Sequence, residues 1–154
     1  MLEANLYIVS LLFISIFFSI LFLQSGLDKI IDFSGNLNYF KTHFKNSIFK
    51  KWTKLLLIII TFLECVTGLV FLLAIFFYVL SQLDAFYPFA VLYAHFFVTW
   101  GLVLSATTLC CLFLGQRLAK DYAGAATLIT YFLVNLLGFI ALGWVEFNLT
   151  IHDI

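Results

Sequence analysis

One acid lies in the middle of a long apolar segment, and it is the residue of this sequence best placed to do chemistry. Glu64 is the single charged residue between Leu55 and Leu80. A run of that length crosses a bilayer as one helix, and at about 1.5 Å per residue Glu64 lies about 15 Å along it from Lys54. A carboxylate at that depth costs at least about 2.5 kcal/mol. We therefore expect Glu64 to face protein, where it binds a polar partner or stays protonated.

Polar residues of the other apolar segments are expected at the same depth. They are Ser15 or Ser19 in the first segment, Ser105 or Thr108 in the third, and Tyr131 or Asn135 in the fourth. One hypothesis is an intramembrane polar layer, in which Glu64 is hydrogen-bonded to Tyr131, Asn135 or a serine and binds a quinone head group or carries a proton. The alternative is a buried clasp that holds the helices in register around a protonated Glu64. Gly68, one turn beyond the acid, lets a neighbouring helix approach this face.

A second group of charged residues flanks the apolar segments. It consists of Asp28, Lys29, Asp32 and Asp121. We expect Lys29 to pair with Asp28 or Asp32, or with Asp121 across the last connection. Such a pair is either a solvated ion pair of small energy or a docking site that orders the first and third connections together.

These residues must be positioned by transmembrane helices. The chain of 154 residues is 64% hydrophobic and only 10% charged, which is typical of an integral membrane protein. Four long apolar runs, about 6–27, 55–80, 89–115 and 122–145, predict a single all-α domain. Its fold class is an up-down bundle of four transmembrane helices, with its outer surface in contact with membrane lipid.

The positive charges predict the orientation of this bundle. All eight Lys and Arg residues lie in the first and third connections. Because cytoplasmic loops carry the excess of Lys and Arg, we expect both connections in the cytoplasm and both termini in the periplasm, across a bacterial inner membrane.

The first connection, from Asp28 to Lys54, is long enough for a helix of its own. Phe33, Leu37, Phe40, Phe44 and Ile48 follow helical spacing. We expect an amphipathic helix from about Gly35 to Phe49, with Ser34 as its N-cap. It lies on the inner leaflet, with lysines at the head groups, or packs beneath the bundle as a lid, and the two arrangements are compatible.

Several classes of function find no support in the sequence. The three cysteines form no CxxC, and no His/Cys cluster has the spacing of metal ligands, so we assign no metal and no catalytic residue. The basic residues are too few and too close to the membrane for nucleic-acid binding.

Three segments resemble the DoxX family of small inner-membrane proteins. They are Gln24 to Ile30 at the end of the first run, Glu64 with Gly68, and Arg117 to Ala125 at the start of the last run. The resemblance implies a four-helix inner-membrane protein, and the named members of the family include a membrane subunit of a thiosulfate:quinone oxidoreductase. The chain lacks the CxxC that a thiol-disulfide exchange role would need.

Three functional hypotheses follow from these observations. The first is a small accessory subunit of a larger inner-membrane complex, respiratory or quinone-linked, that has other membrane subunits as partners and no catalysis of its own. The second is an oxidoreductase component that itself binds quinone at Glu64. The third is a small transporter or proton pathway.

Overall fold

The part of the chain that the structure describes folds into five α-helices, four of them long. The structure, a computed structural model, describes residues 2–83 and 87–152. The helices are α1 (Leu2–Ile31), α2 (Phe33–His43), α3 (Thr53–Leu80), α4 (Tyr87–Ala119) and α5 (Tyr122–His152). A short 3₁₀ helix, Ile48–Lys51, lies between α2 and α3. The described residues contain no β-strand.

Four helices are long and apolar enough to cross a membrane, which confirms the predicted fold class. The spans are Tyr7–Ile31, Thr53–Leu80, Phe89–Ala119 and Tyr122–Val145. The first and third end later than the sequence predicts, at Ile31 and Ala119. Charged residues near these ends therefore belong to the helices and not to loops.

The four long helices form an antiparallel bundle in which α1 packs against α3 and α5, and α4 packs against the same two helices. Phe18 is fully buried on the bundle axis, with its ring stacked on Phe22 at 5.7 Å and on Phe71 at 5.4 Å between centroids. The outer faces are apolar as well, since side chains such as Phe13 and Leu92 are exposed. An apolar outer surface on spanning helices places the protein in a membrane, in contact with lipid.

The α1–α3 pair is the closest contact of the bundle. A Cβ on Gly68 would lie 2.8 Å from the backbone nitrogen of Leu23, and one on Gly26 would lie 3.2 Å from that of Cys65. Ser19 Oγ donates to the carbonyl oxygen of Gly68 at 3.3 Å. Gly68 therefore lets a helix approach the face that carries Glu64, as the sequence predicts.

The helix of the first connection differs from its prediction at both ends. It begins at Phe33 because Asp32, and not Ser34, is its N-cap: Asp32 Oδ1 accepts a hydrogen bond from Gly35 N at 2.9 Å. It ends at His43, well before Phe49. Its C-cap is Phe44. The Phe44 side chain is buried, since the residue is only 5% exposed.

Candidate functional site

Glu64 pairs with Lys29, and this is the one ion pair among the described residues. Lys29 Nζ lies 2.9 Å from Glu64 Oε2 and 3.2 Å from Oε1. Ser25 Oγ donates to Oε1 at 2.9 Å and in turn accepts from Lys29 Nζ at 2.7 Å. Glu64 is 1% exposed and the Lys29 side chain 13%. The acid thus has a charged partner inside the bundle.

The helix geometry explains how two residues far apart in the sequence meet. Cα–Cβ bonds tilt toward the N-terminus of a helix. Lys29 lies near the C-terminal end of α1, so its side chain points back into the bundle. Glu64 lies in the N-terminal half of the antiparallel α3, so its side chain points toward the end that carries Lys29. Ser25 is one turn before Lys29 on the same face and joins them.

The pair lies in the wall of a cavity of about 430 Å³ at the α2 end of the bundle. All five helices contribute to its lining, which is mainly aliphatic and aromatic; Phe22, Ile60, Leu112 and Leu128 are examples. A volume in the range of about 300–1,000 Å³, apolar walls and a few convergent polar groups are typical of small-molecule sites.

Further polar groups surround the cavity on the side opposite the bundle axis. Asn36, Tyr39 and His43 come from α2, and Gln116 comes from the last turn of α4. Gln116 Oε1 is buried and has no hydrogen bond among the described residues. Glu64 Oε2 faces the Lys29 ammonium at 2.9 Å and is engaged in the ion pair. Gln116 Oε1 is therefore the unpartnered acceptor at this end of the bundle.

The segment around α2 closes this end of the cavity. The Phe44 ring has edge contacts with Phe40 at 5.6 Å and Phe49 at 5.9 Å. Its Cζ is 3.5 Å from the position of a Cβ on Gly115, so it reaches α4. Tyr39 and His43 stack at 5.2 Å on the same helix. This packing favours the lid interpretation of the first connection.

The predicted polar layer forms as separate contacts: of the partners expected for Glu64, a serine hydroxyl bonds to it, that of Ser25, whereas Asn135 bonds elsewhere. Asn135 Nδ2 donates to Ser105 Oγ and to the Leu102 carbonyl at 3.2 Å, which joins α4 to α5. Thr67 and Thr108 hydroxyls lie 3.1 Å apart and join α3 to α4. Tyr131 lines the cavity with Glu64 but is not bonded to it. These polar side chains bond between neighbouring helices, so they do not converge on Glu64.

Ser15 and Ser19 also have partners other than Glu64. Ser15 Oγ donates to the Leu11 carbonyl at 2.7 Å within α1, and Ser19 bonds to Gly68. A serine hydroxyl does bond to Glu64, but it is that of Ser25, nearer the end of α1.

The predicted ionic cluster does not form. Asp32 caps α2, and Asp121 caps α5 by accepting from Gly124 N at 2.9 Å. Both acids are held at helix N-termini, where backbone N–H groups and the helix dipole favour a negative charge. Asp28 is exposed. Lys29 is left to Glu64, and its predicted pairing with Asp28, Asp32 or Asp121 was wrong.

Sequence reasoning missed the roles of Ser25 and Gln116, and it placed Lys29 in a loop. The available signal was the spacing of Ser25 and Lys29, four residues apart at the end of an apolar helix. Continuing α1 by one turn would have put both residues on the face of α1 that meets Glu64.

The site contains no evident metal centre. Among the described residues, no group of three His, Cys, Asp or Glu side chains could hold a metal ion. No family model, no curated protein and no solved structure matches this chain.

Proposed function

We propose that this protein is a quinone-binding accessory subunit of an oxidoreductase complex in a bacterial inner membrane. The observation that supports the proposal best is the Lys29–Glu64 pair in the wall of an apolar cavity of about 430 Å³. A charged pair buried in a membrane protein is costly and is a functional-site hypothesis by default.

The polar groups suit a ring with carbonyl oxygens. The Lys29 ammonium would exchange one of its contacts with Ser25 for a carbonyl oxygen of the ring, and Gln116 Oε1 would accept from a hydroxyl group of the reduced ring. Reduction of a quinone takes up two electrons and a proton at each carbonyl oxygen, and the Lys29 ammonium is the member of this ion pair that would supply one of the protons. Phe22, Tyr39 and Phe40 present aromatic surface to such a ring.

Electrons would have to come from another subunit, because a binding cavity alone transfers none. The DoxX-like segments favour this assignment, since the named members of that family include a subunit of a quinone-linked oxidoreductase. The Lys and Arg distribution favours α2 in the cytoplasm and both termini in the periplasm.

Binding to the purified protein tests the proposal. A benzoquinone and a naphthoquinone, each without a tail, are titrated calorimetrically into the protein in lipid nanodiscs. We expect one of the two quinones to bind saturably, and we expect its affinity to be lower in Glu64→Gln. Asn135→Ala is the matched control, because it removes a buried polar side chain that does not line the cavity, and it should bind as wild type. Absence of binding, or equal affinity in Glu64→Gln, would contradict the proposal.

The subunit assignment needs a separate experiment. Extraction from native membranes in mild detergent, followed by mass spectrometry and an absorption spectrum, should recover stoichiometric partners that carry a redox cofactor. Recovery of the chain alone would exclude the accessory role and leave the cavity as a site of independent function, including transport.

A further inference from the structure

A second, smaller cavity lies beside the first, between α4 and α5. Its volume is about 190 Å³, and its walls are Leu109, Cys110, Phe113, Leu128, Ile129 and Phe132. None of these side chains carries a charge. Cys110, Phe113 and Ile129 are exposed on the outer face of the bundle, so this α4–α5 groove opens where lipid surrounds the protein.

The groove adjoins the cavity that contains Lys29 and Glu64. Leu109 and Leu128 line both spaces, so these two leucine side chains form the wall between them. Leu109 is 2% exposed and Leu128 is half-buried.

The groove has a defined closed end. The Asn135–Ser105 hydrogen bond joins α4 to α5 one turn further from the α2 end than Leu109 and Phe132. Toward the α2 end, the helices are connected through Lys120 and Asp121. The α4–α5 groove is thus open over a short stretch only, directly beside the cavity.

We propose that the α4–α5 groove binds the hydrocarbon tail of the molecule whose polar ring occupies the Lys29–Glu64 cavity. This rests on the proposed function and extends it: the ligand is an amphiphile, such as an isoprenoid quinone, that enters sideways from the bilayer. The ring enters when the Leu109 and Leu128 side chains move apart, and the tail remains in the uncharged groove in contact with lipid. A water-soluble ligand would need no such groove.

Photolabelling from the tail tests this proposal. The probe is the quinone ring that binds best in the calorimetric titration, with a diazirine on a short isoprenoid tail, added to the protein in nanodiscs. Mass spectrometry should map the label to the segments 109–113 and 128–132. We expect the label to be lost when excess tailless ring competes, and also in Ile129→Trp, which fills the groove. Leu137→Trp, an equally exposed change elsewhere on α5, should leave the labelling intact.

The outcomes separate this inference from the proposed function. If the tailless ring binds but the tail label maps to other helices, the groove assignment is wrong and the ring site stands. If the groove is labelled regardless of competing ring and of Glu64→Gln, it holds ordinary bilayer lipid, which also overturns the inference. If the tailless ring itself does not bind, the proposed function fails together with this extension.

Discussion

Lys29 Nζ and Glu64 Oε2 lie 2.9 Å apart inside the bundle, although the two residues are 35 positions apart in the sequence. The contact joins the C-terminal end of α1 to the N-terminal half of α3. It gives an intramembrane acid its counter-charge and places both groups in the wall of the cavity of about 430 Å³.

Replacing Lys29 by Met should destabilise the protein, because it leaves Glu64 buried without its ammonium. Breaking one side of a buried ion pair costs about 3–5 kcal/mol. The free energy of unfolding in an SDS titration measures the effect, and Lys54→Met, an exposed change, is the control. The double variant Lys29→Met/Glu64→Leu should recover part of the loss. Equal stability of Lys29→Met and Lys54→Met would contradict an energetic role for the pair.

Gly68→Ala should disturb the closest contact of α1 and α3. The new Cβ would meet Leu23 Cγ at 2.7 Å and Leu23 N at 2.8 Å, and overpacking of this kind costs about 1–3 kcal/mol. Gly143→Ala is the matched control, because nothing lies within 4 Å of its Cβ position. The same SDS titration compares the free energies of unfolding of the two variants. A Gly68→Ala protein as stable as Gly143→Ala would show that α1 and α3 are less closely packed than described.

The Asn135–Ser105 contact should contribute modestly to stability. Interhelical hydrogen bonds in membranes average about 0.6 kcal/mol in double-mutant cycles. The cycle of Asn135→Ala, Ser105→Ala and the double variant should give a coupling energy of that size. Additive effects of the two single substitutions would mean that the hydrogen bond does not join α4 to α5 in the membrane.

Phe44→Ala should open the cavity to water. Its buried ring lies between α2 and Gly115 of α4, and Leu109, which is 2% exposed, lines the cavity behind it. In a chain with Cys65, Cys110 and Cys111 replaced by Ala and carrying Leu109→Cys, a membrane-impermeant maleimide should label the introduced cysteine faster in Phe44→Ala than in the parent. Ile48→Ala, an exposed change in the same connection, is the control. Equal rates in all three proteins would contradict the role of Phe44 as a seal.

The fold was predictable because its signals are local. Four apolar runs and the confinement of Lys and Arg to two connections are enough to count the helices. Gly68 was also predictable as a close contact, since a glycine beside an intramembrane acid leaves room for one neighbouring helix.

The site was predictable only in part, because it depends on where helices end and on how side chains tilt. Glu64 stood out by its charge alone. Lys29 did not, since the apolar run seemed to end at Leu27, whereas α1 continues to Ile31 and turns the lysine inward. Asp32 and Asp121 were expected to form ion pairs, but both cap helices, which satisfies their carboxylates locally. Gln116 gave no signal at all, as the burial of its side-chain oxygen depends on tertiary packing.

The central claim is that Lys29 contacts a carbonyl group of a ring bound in the cavity. The most direct measurement is an infrared difference spectrum of a quinone with ¹³C-labelled carbonyl groups, bound to the protein in nanodiscs. We predict that one labelled carbonyl band shifts to lower frequency on binding and returns to its unbound frequency in Lys29→Met, with Asn135→Ala unchanged. Carbonyl bands that stay at their frequency in lipid, or that shift equally in wild type and Lys29→Met, would contradict the account.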